Sequence, residues 1–246
     1  SRAIDACGSA PPLSSRAGAA YLRGGMSRDR SLTDKPTSAA VSAFLRRVQT
    51  MPAVRAGSGR RGRLLFAIDA TASRQPTWDR ACSLTGHMFE ATRTLGGLAM
   101  SLAYYRGYGE FMATPWLSDV DEIRRRMTTV SCLGGQTQIQ KVLDHAIAET
   151  RKERVNALVF IGDAVEEHVD ALAHRAGELG MLNCPGFFFH EGGDPFAERC
   201  FRELARLSGG AYAPFDLSSA DTLRDLLAAV AVYAAGGREQ VAQRVG

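Results

Sequence analysis

The chain has 246 residues, 45% of them hydrophobic and 23% charged, which is ordinary usage for a globular protein. This length suits one α/β domain with an appendage, or two small domains. No apolar run reaches about 18 residues, so we expect no membrane span. The N-terminal region has no apolar core of the signal-peptide type, and we therefore expect a cytoplasmic protein.

The five cysteines are widely spaced and form no C-x-x-C pair. This pattern argues against a structural zinc site and against thioredoxin-like chemistry. Free thiols in a reducing compartment are expected, which agrees with a cytoplasmic location.

The net charge of +4 is unevenly distributed along the chain. Residues 1–63 hold twelve Lys and Arg against three Asp, a net charge of +9, whereas residues 64–246 carry a net charge of −5. Residues 1–35 are rich in Ser, Ala, Gly and Arg without periodicity and are predicted to be a flexible basic arm. The arm could contact nucleic acid, anionic lipid or the acidic remainder of the chain. It has few aromatic residues, which argues against a nucleic-acid-binding platform.

Four segments are expected along the chain. The arm is followed by residues 36–62, which comprise a helix from Pro36 to about Met51 with apolar residues at helical spacing, and then a linker rich in Gly and Arg. Residues 63–236 form the main domain, and residues 237–246 a C-terminal tail.

Strands alternate with helices in the main domain, except at one hairpin. The strands are predicted at 64–68, 98–105, 110–114, 157–161, 186–190 and 211–215. The helices are predicted at 77–95, 118–127, 138–150, 167–179, 195–207 and 219–233, the first with Thr77 as its N-cap. The fold class is therefore α/β: a doubly wound, mostly parallel sheet with one antiparallel edge strand and helices on both faces.

The first strand ends in the stretch Asp69-Ala70-Thr71-Ala72-Ser73. An apolar run stops at a carboxylate, and two hydroxyls follow at alternate positions. Small oxygen ligands separated by alanines suit a hard divalent cation. A strand end followed by a turn and a helix cap would use the same residue types, so this stretch does not decide the matter alone.

Two later segments supply similar oxygens at similar places. Thr137 follows a Gly134-Gly135 loop and opens a helix, and Asp163 follows the apolar strand at 157–161. Ligands of doubly wound sheets bind at the carboxyl ends of strands, where these residues are expected. Each has a simpler interpretation as well, because Thr137 could be only a helix N-cap and Asp163 only a solvated strand end.

The pattern Asp-x-Thr-x-Ser resembles the metal-ion-dependent adhesion site (MIDAS) of von Willebrand factor A (vWA) domains, normally Asp-x-Ser-x-Ser. The segments of Thr137 and Asp163 match the other two ligand segments of that family in order and spacing. The resemblance covers about residues 63–235, includes the hairpin, and implies a Rossmann-like vWA fold of the intracellular bacterial type.

By this resemblance, Mg²⁺ or Mn²⁺ would be coordinated directly by the hydroxyls of Thr71 and Ser73. Asp69 would hold the metal or its waters. Thr137 would bind directly or through water, and Asp163 mostly through water. A carboxylate from a partner would complete the metal's ligand shell, because two carboxylates and three neutral hydroxyls leave a divalent ion incompletely satisfied.

Three segments depart from the family pattern. Thr71 replaces serine and adds a methyl group, Gln136 sits between Gly135 and Thr137, and the third segment is Gly162-Asp163-Ala164 where Thr-Asp-Gly is common. These departures could change the metal affinity and the mobility of the loops, but every type of ligand in the family pattern is still present.

The expected function is a divalent-metal-dependent protein-binding module without catalysis. Intracellular members of the family work with AAA+ ATPases or metal-chelatase-like assemblies, so the resemblance implies an adaptor or subunit whose partner presents an Asp or Glu carboxylate. A metal-free scaffold with a degenerate site is one alternative. Another is a metal-dependent phosphate-ester hydrolase, but a dehalogenase-like phosphatase needs a second Asp where Thr71 stands, and a cysteine-phosphatase loop starting at Cys132 needs Arg where Gln138 stands.

The sequence leaves the role of two further groups of polar residues undecided. Glu166 and Glu167 precede two histidines and suggest either a second metal site or a solvated helix face. Glu191 lies with His190 at the carboxyl end of a predicted strand, where both could flank the binding face.

Overall fold

The computed structural model describes residues 34–52, 61–93, 97–215 and 220–236. The basic arm predicted at 1–35 lies outside these residues except for its last two, as do most of the linker and the tail at 237–246.

Seven helices and six strands are present in the described part of the chain. The helices are α1 (Asp34–Thr50), α2 (Gln75–Thr92), α3 (Val120–Thr128), α4 (Ile139–Lys152), α5 (Val169–Met181), α6 (Pro195–Leu207) and α7 (Ala220–Ala234). The strands are β1 (Gly62–Asp69), β2 (Leu98–Arg106), β3 (Glu110–Ala113), β4 (Ala157–Gly162), β5 (Gly186–Glu191) and β6 (Ala211–Phe215). Every predicted strand and helix is found, with ends shifted by a few residues.

One predicted helix start is wrong. A 3₁₀ turn at Ala72–Arg74 leads directly into α2, which begins at Gln75 with Pro76 in its first turn. Thr77 is therefore inside the helix and is not its N-cap. Proline suits the first turn because its missing N–H would have no partner there.

The six strands form one sheet in the order β3-β2-β1-β4-β5-β6. Every neighbouring pair is parallel except β2 and β3, which are the hairpin and make β3 the antiparallel edge strand. The predicted fold class is confirmed.

Helices cover both faces of the sheet. Side chains of β1 alternate between two apolar cores: Phe66 packs into one with α1, α2, α3 and α7, and Leu65 into the other with α4, α5 and α6. Burial on both faces explains why the central strands read as continuous apolar runs. None of the helices described is long and apolar enough to cross a membrane.

Parallel pairing brings the carboxyl ends of β1, β2, β4 and β5 to one edge of the sheet. The last residues of these strands and the loops after them therefore form a single surface. Asp69 ends β1, Asp163 follows β4, and Glu191 ends β5.

Candidate metal centre

Asp69 is fully buried at the end of β1, and both of its carboxylate oxygens accept hydrogen bonds. The backbone N–H of Thr71 donates to Oδ1 at 2.7 Å, and the hydroxyl of Tyr105 donates to Oδ2 at 3.1 Å. Burial raises the pKa of Asp69, with a further contribution from the charge of Asp163, while the bonds from Thr71 and Tyr105 oppose the shift. These partners fix the orientation of the carboxylate.

The 3₁₀ turn after β1 presents the two hydroxyls of the predicted motif. Thr71 is half-buried and Ser73 is exposed. The hydroxyl of Ser73 has a loose contact at 3.5 Å with Nε of Arg74, and this leaves its oxygen accessible from solvent. The turn is closed by a bond of 2.9 Å from the N–H of Arg74 to the carbonyl of Thr71.

The loop at 131–138 is attached to the turn and to the β2–β3 hairpin through backbone contacts. The N–H of Leu133 donates to the carbonyl of Ala70 at 3.0 Å, and the N–H of Gln136 to the carbonyl of Gly107 at 3.3 Å. A Cβ atom on Gly135 would lie 2.0 Å from that carbonyl oxygen, so only glycine fits there. Close approach of two backbones therefore places the segment of Thr137.

Thr137 is buried and forms a reciprocal pair with Glu166. Its N–H donates to Oε2 of Glu166 at 2.8 Å, and its hydroxyl oxygen accepts from the N–H of Glu166 at 3.0 Å. The loop carrying Thr137 is thereby fixed to the loop that carries Asp163. The hydroxyl oxygen keeps a second lone pair and its proton for another partner.

The N-terminus of α4 is capped from another loop. Glu167 accepts from the N–H groups of Ile139 and Gln140, each at 2.8 Å, so its two oxygens satisfy two donors that the helix leaves unpaired. The N-cap position is Gln138, whose side chain makes no cap bond, and Thr137 does not cap the helix. Glu166 and Glu167, for which a second metal site was considered, both accept hydrogen bonds from backbone N–H groups, and no group of three His, Cys, Asp or Glu side chains that could hold a metal is found among the described residues.

Asp163 lies beside Asp69 at the end of the neighbouring strand. A Cβ atom added to Gly162 would be 3.8 Å from Cβ of Asp69, so the paired strands β1 and β4 end side by side. The side chain of Asp163 is 26% exposed, and its Oδ2 is 3.3 Å from Nη2 of Arg74. Its backbone carbonyl is 3.3 Å from Nε2 of the buried His190.

Arg74 lies against two carboxylates of the site, and no pattern in the sequence indicates this position. Its guanidinium is only 10% exposed and lies between two carboxylates, with Nη1 2.5 Å from Oε2 of Glu191 and Nη2 near Asp163. The hydroxyl of Thr77 donates to the same Oε2 of Glu191. Glu191 thus faces the site as predicted, but as the partner of an arginine.

The oxygen donors at this edge suit a hard divalent cation by chemical type. Asp69 and Asp163 supply carboxylates, while Thr71, Ser73 and Thr137 supply hydroxyls, from three adjacent segments. Oxygen ligands of this kind are typical of Mg²⁺ and Mn²⁺ sites, whereas structural zinc is bound by nitrogen and sulfur atoms. A cation bound there would share Asp163 with Arg74.

No family model and no curated protein matches this chain. Among solved structures, the SpRpn10 VWA domain superimposes with a TM-score of 0.53 at 12% sequence identity, over 68% of this chain and 94% of that chain. The chain has the von Willebrand factor A fold.

Two further solved structures resemble this vWA fold. PTMP1 from the mussel byssus, with zinc in its MIDAS motif, has a TM-score of 0.52 at 15% identity and matches over 70% of this chain and 46% of its own. A D319A mutant of the minor pilin PilB from Streptococcus sanguinis has a TM-score of 0.56 at 7% identity, over 78% and 63%. At these identities the likeness is one of fold, and the chain spans only part of those two proteins.

The thiol of Cys132, beside the site, is expected to be unreactive. Burial, followed by the charges of Asp69 and Asp79, raises its pKa from 9.0 to about 11, so the thiol stays neutral at physiological pH. A rise of two pKa units lowers the thiolate fraction roughly 100-fold. Alkylation by iodoacetamide at pH 7.5, followed by peptide mass spectrometry, should therefore be about 100-fold slower at Cys132 than in N-acetylcysteine.

The rate at Cys132 should rise about tenfold per pH unit until the pH approaches that raised pKa. Labelling as fast as N-acetylcysteine at pH 7.5 would show an activated thiolate and would revive the cysteine-phosphatase interpretation.

Proposed function

We propose that this vWA domain binds a protein partner through a divalent metal ion, Mg²⁺ or Mn²⁺, held by Asp69, Thr71, Ser73, Thr137 and Asp163. The observation that supports this most directly is the convergence of three separate segments at one edge of the sheet. A backbone bond from Leu133 to Ala70 and the reciprocal pair of Thr137 and Glu166 join the segments, and Ser73 lies exposed at the surface. A PTMP1 structure with zinc in its MIDAS motif supports the chemistry by analogy.

Each segment has a distinct task in this proposal. Asp69 is oriented by two donors and sits too deep to meet a partner, so it would act on the metal or its waters from below. Ser73 and Thr71 lie nearer the surface. Thr137 is held by Glu166, which keeps its hydroxyl in place. The metal, when bound, supplies the positive charge that attracts an Asp or Glu carboxylate of the partner.

The surface around the site favours a protein partner. Three large hydrophobic side chains are exposed around it: Tyr108 (86%) on the β2–β3 turn, Leu133 (46%) on the loop before α4, and Phe196 (45%) in the first turn of α6. Exposed apolar residues around a polar centre are typical of protein-binding surfaces. The partner therefore carries its carboxylate beside apolar residues, and an AAA+ ATPase or chelatase-like assembly in the cytoplasm is the class that the family resemblance suggests.

A hydrolase receives no comparable support. Asp69 is fully buried, which leaves it poorly placed to attack a phosphate ester, and the Cys132 thiol is neutral. We therefore propose a binding function without catalysis.

Selection from a displayed peptide library tests the proposal. The protein is immobilised with Mn²⁺, and bound peptides are released with EDTA. We expect the released peptides to share an Asp or Glu next to an apolar residue. Ser73→Ala, which removes an exposed hydroxyl, should weaken their binding on the order of tenfold, since one hydrogen bond or ligand to a charged group contributes about 1.5–3 kcal/mol.

Ser83→Ala is the matched control, because Ser83 is also exposed and its hydroxyl bonds only within α2. Peptides that stay bound in EDTA would contradict a metal-dependent site and would support the metal-free scaffold.

A further inference from the structure

We infer that Arg74 is a tethered cation that competes with the divalent metal for Asp163 and so sets the metal concentration at which the site loads. This inference rests on the proposed function, because it concerns the metal affinity of the same site. Arg74 directly follows the Asp-x-Thr-x-Ser motif in the sequence, and that position alone does not indicate a role in metal affinity.

The turn that carries the motif also determines the position of Arg74. It is the last residue of the 3₁₀ turn at 72–74, and its N–H bonds to the carbonyl of Thr71. The turn that presents Thr71 and Ser73 therefore also directs the Arg74 side chain inward. The side chain of Arg74 is at least as buried as the two carboxylates that it contacts, which makes its charge effective at short range.

The two carboxylates hold Arg74 unequally. Its Nη1 is 2.5 Å from Oε2 of Glu191, whose side chain is only 11% exposed, while its Nη2 is 3.3 Å from Oδ2 of the more exposed Asp163. Thr77 donates to the same oxygen of Glu191 and holds it toward Arg74. Glu191 is therefore the anchor, and the contact with Asp163 is the one that can exchange.

A divalent cation that approaches Asp163 meets this guanidinium on the same carboxylate. Without metal, Arg74 offsets the repulsion between the charges of Asp163 and Asp69. With metal, two cations share one carboxylate, and their mutual repulsion weakens binding. The nearby Arg106 does not play this part, because it pairs with Glu110 and the carbonyl of Ser131.

Calorimetric titration with Mn²⁺ of the whole chain, as wild type and as Arg74→Gln, tests the inference. Removing the competing charge should lower the dissociation constant on the order of tenfold. Unfolding temperatures without metal give a second readout: Arg74→Gln should be less stable than wild type in EDTA and should recover more on adding Mn²⁺. Arg175→Gln is the control, because it removes one positive charge that pairs with Asp144, away from Asp163 and from the loop at 131–138, and its dissociation constant should stay within about twofold of wild type.

Arg74→Lys is a second variant, to be measured if Arg74→Gln fails to fold. Lysine keeps the charge but is a point donor that cannot hold both carboxylates as the guanidinium does, so Asp163 is released and Mn²⁺ should bind severalfold more tightly. Equal affinity for wild type and the folded Arg74 variant would overturn the inference.

The four combined outcomes separate the inference from the proposed function. If Mn²⁺ binds wild type and binds the variant more tightly, both the inference and the proposed function are supported. If Mn²⁺ binds the two equally, the function is supported and the inference is overturned. Binding to the variant alone means that Arg74 replaces the metal in the natural protein, which supports the inference and contradicts the function. Binding to neither overturns both.

Discussion

Replacing Asp69 with alanine is expected to abolish the stabilisation of the folded chain by Mg²⁺ or Mn²⁺. A ligand that binds only the folded state adds about 2.7 kcal/mol at a hundredfold excess over its dissociation constant. For a domain of this size, that corresponds to a rise of roughly 5–10 °C in Tm. Thermal unfolding in EDTA and in metal should show this rise for wild type and none for Asp69→Ala.

Asp69→Ala will also lower stability in EDTA, because Thr71 N–H and the buried Tyr105 hydroxyl lose their acceptor. The informative quantity is therefore the difference between metal and EDTA within each variant. Asp69→Asn keeps an acceptor oxygen and separates the charge from the hydrogen bond. Asp144→Asn, whose carboxylate pairs with Arg175 on another surface, should retain the whole metal effect. A metal effect that persists in both Asp69 variants would place the cation elsewhere.

Gly135→Ala is expected to destabilise the chain by about 1–3 kcal/mol and to reduce its response to metal. The new Cβ would stand 2.0 Å from the carbonyl oxygen of Gly107, and neither backbone can give way without moving the loop that carries Thr137. Urea unfolding measures the first effect, and Mn²⁺ titration of the folded variant measures the second.

Gly134→Ala is the control one residue away. A Cβ atom at Gly134 meets nothing within 4 Å, so its free energy of unfolding should stay within about 0.5 kcal/mol of wild type. If the two alanine variants behave alike, the close approach of the loop at 131–138 to the hairpin does not hold the site.

The alternation of apolar strands and amphipathic helices was enough to predict the fold. The strand at 157–161 had no polar alternation, which indicated burial on both faces, and the structure places it at the centre of a covered sheet. The start of α2 was predicted wrongly because Thr77 has the chemistry of an N-cap, while the 3₁₀ turn and Pro76 begin the helix earlier.

The candidate site was only partly predictable. A carboxylate or hydroxyl at the end of a strand is visible in the sequence, and Asp69, Thr137 and Asp163 lie on adjacent segments as expected. Partners supplied by distant segments are not visible, and so neither the ion pairs of Arg74 nor the cap supplied by Glu167 could be predicted. Arginine and glutamate usually face solvent, and no local spacing distinguishes the buried exceptions.

The cap on α4 affects when the binding surface can attract an acidic partner. The N-terminus of a helix ordinarily offers free N–H groups and a partial positive charge to any anion. Here Glu167 occupies those groups, so the helix offers no binding for a partner's carboxylate. Without metal, an acidic partner would approach the carboxylates of Asp163 and Glu191, with Asp69 beneath them, and Arg74 would offset part of this negative charge. Under the proposed function, the surface would then repel an acidic partner in the absence of metal and bind it in the presence of metal, so that cation availability would switch recognition on and off.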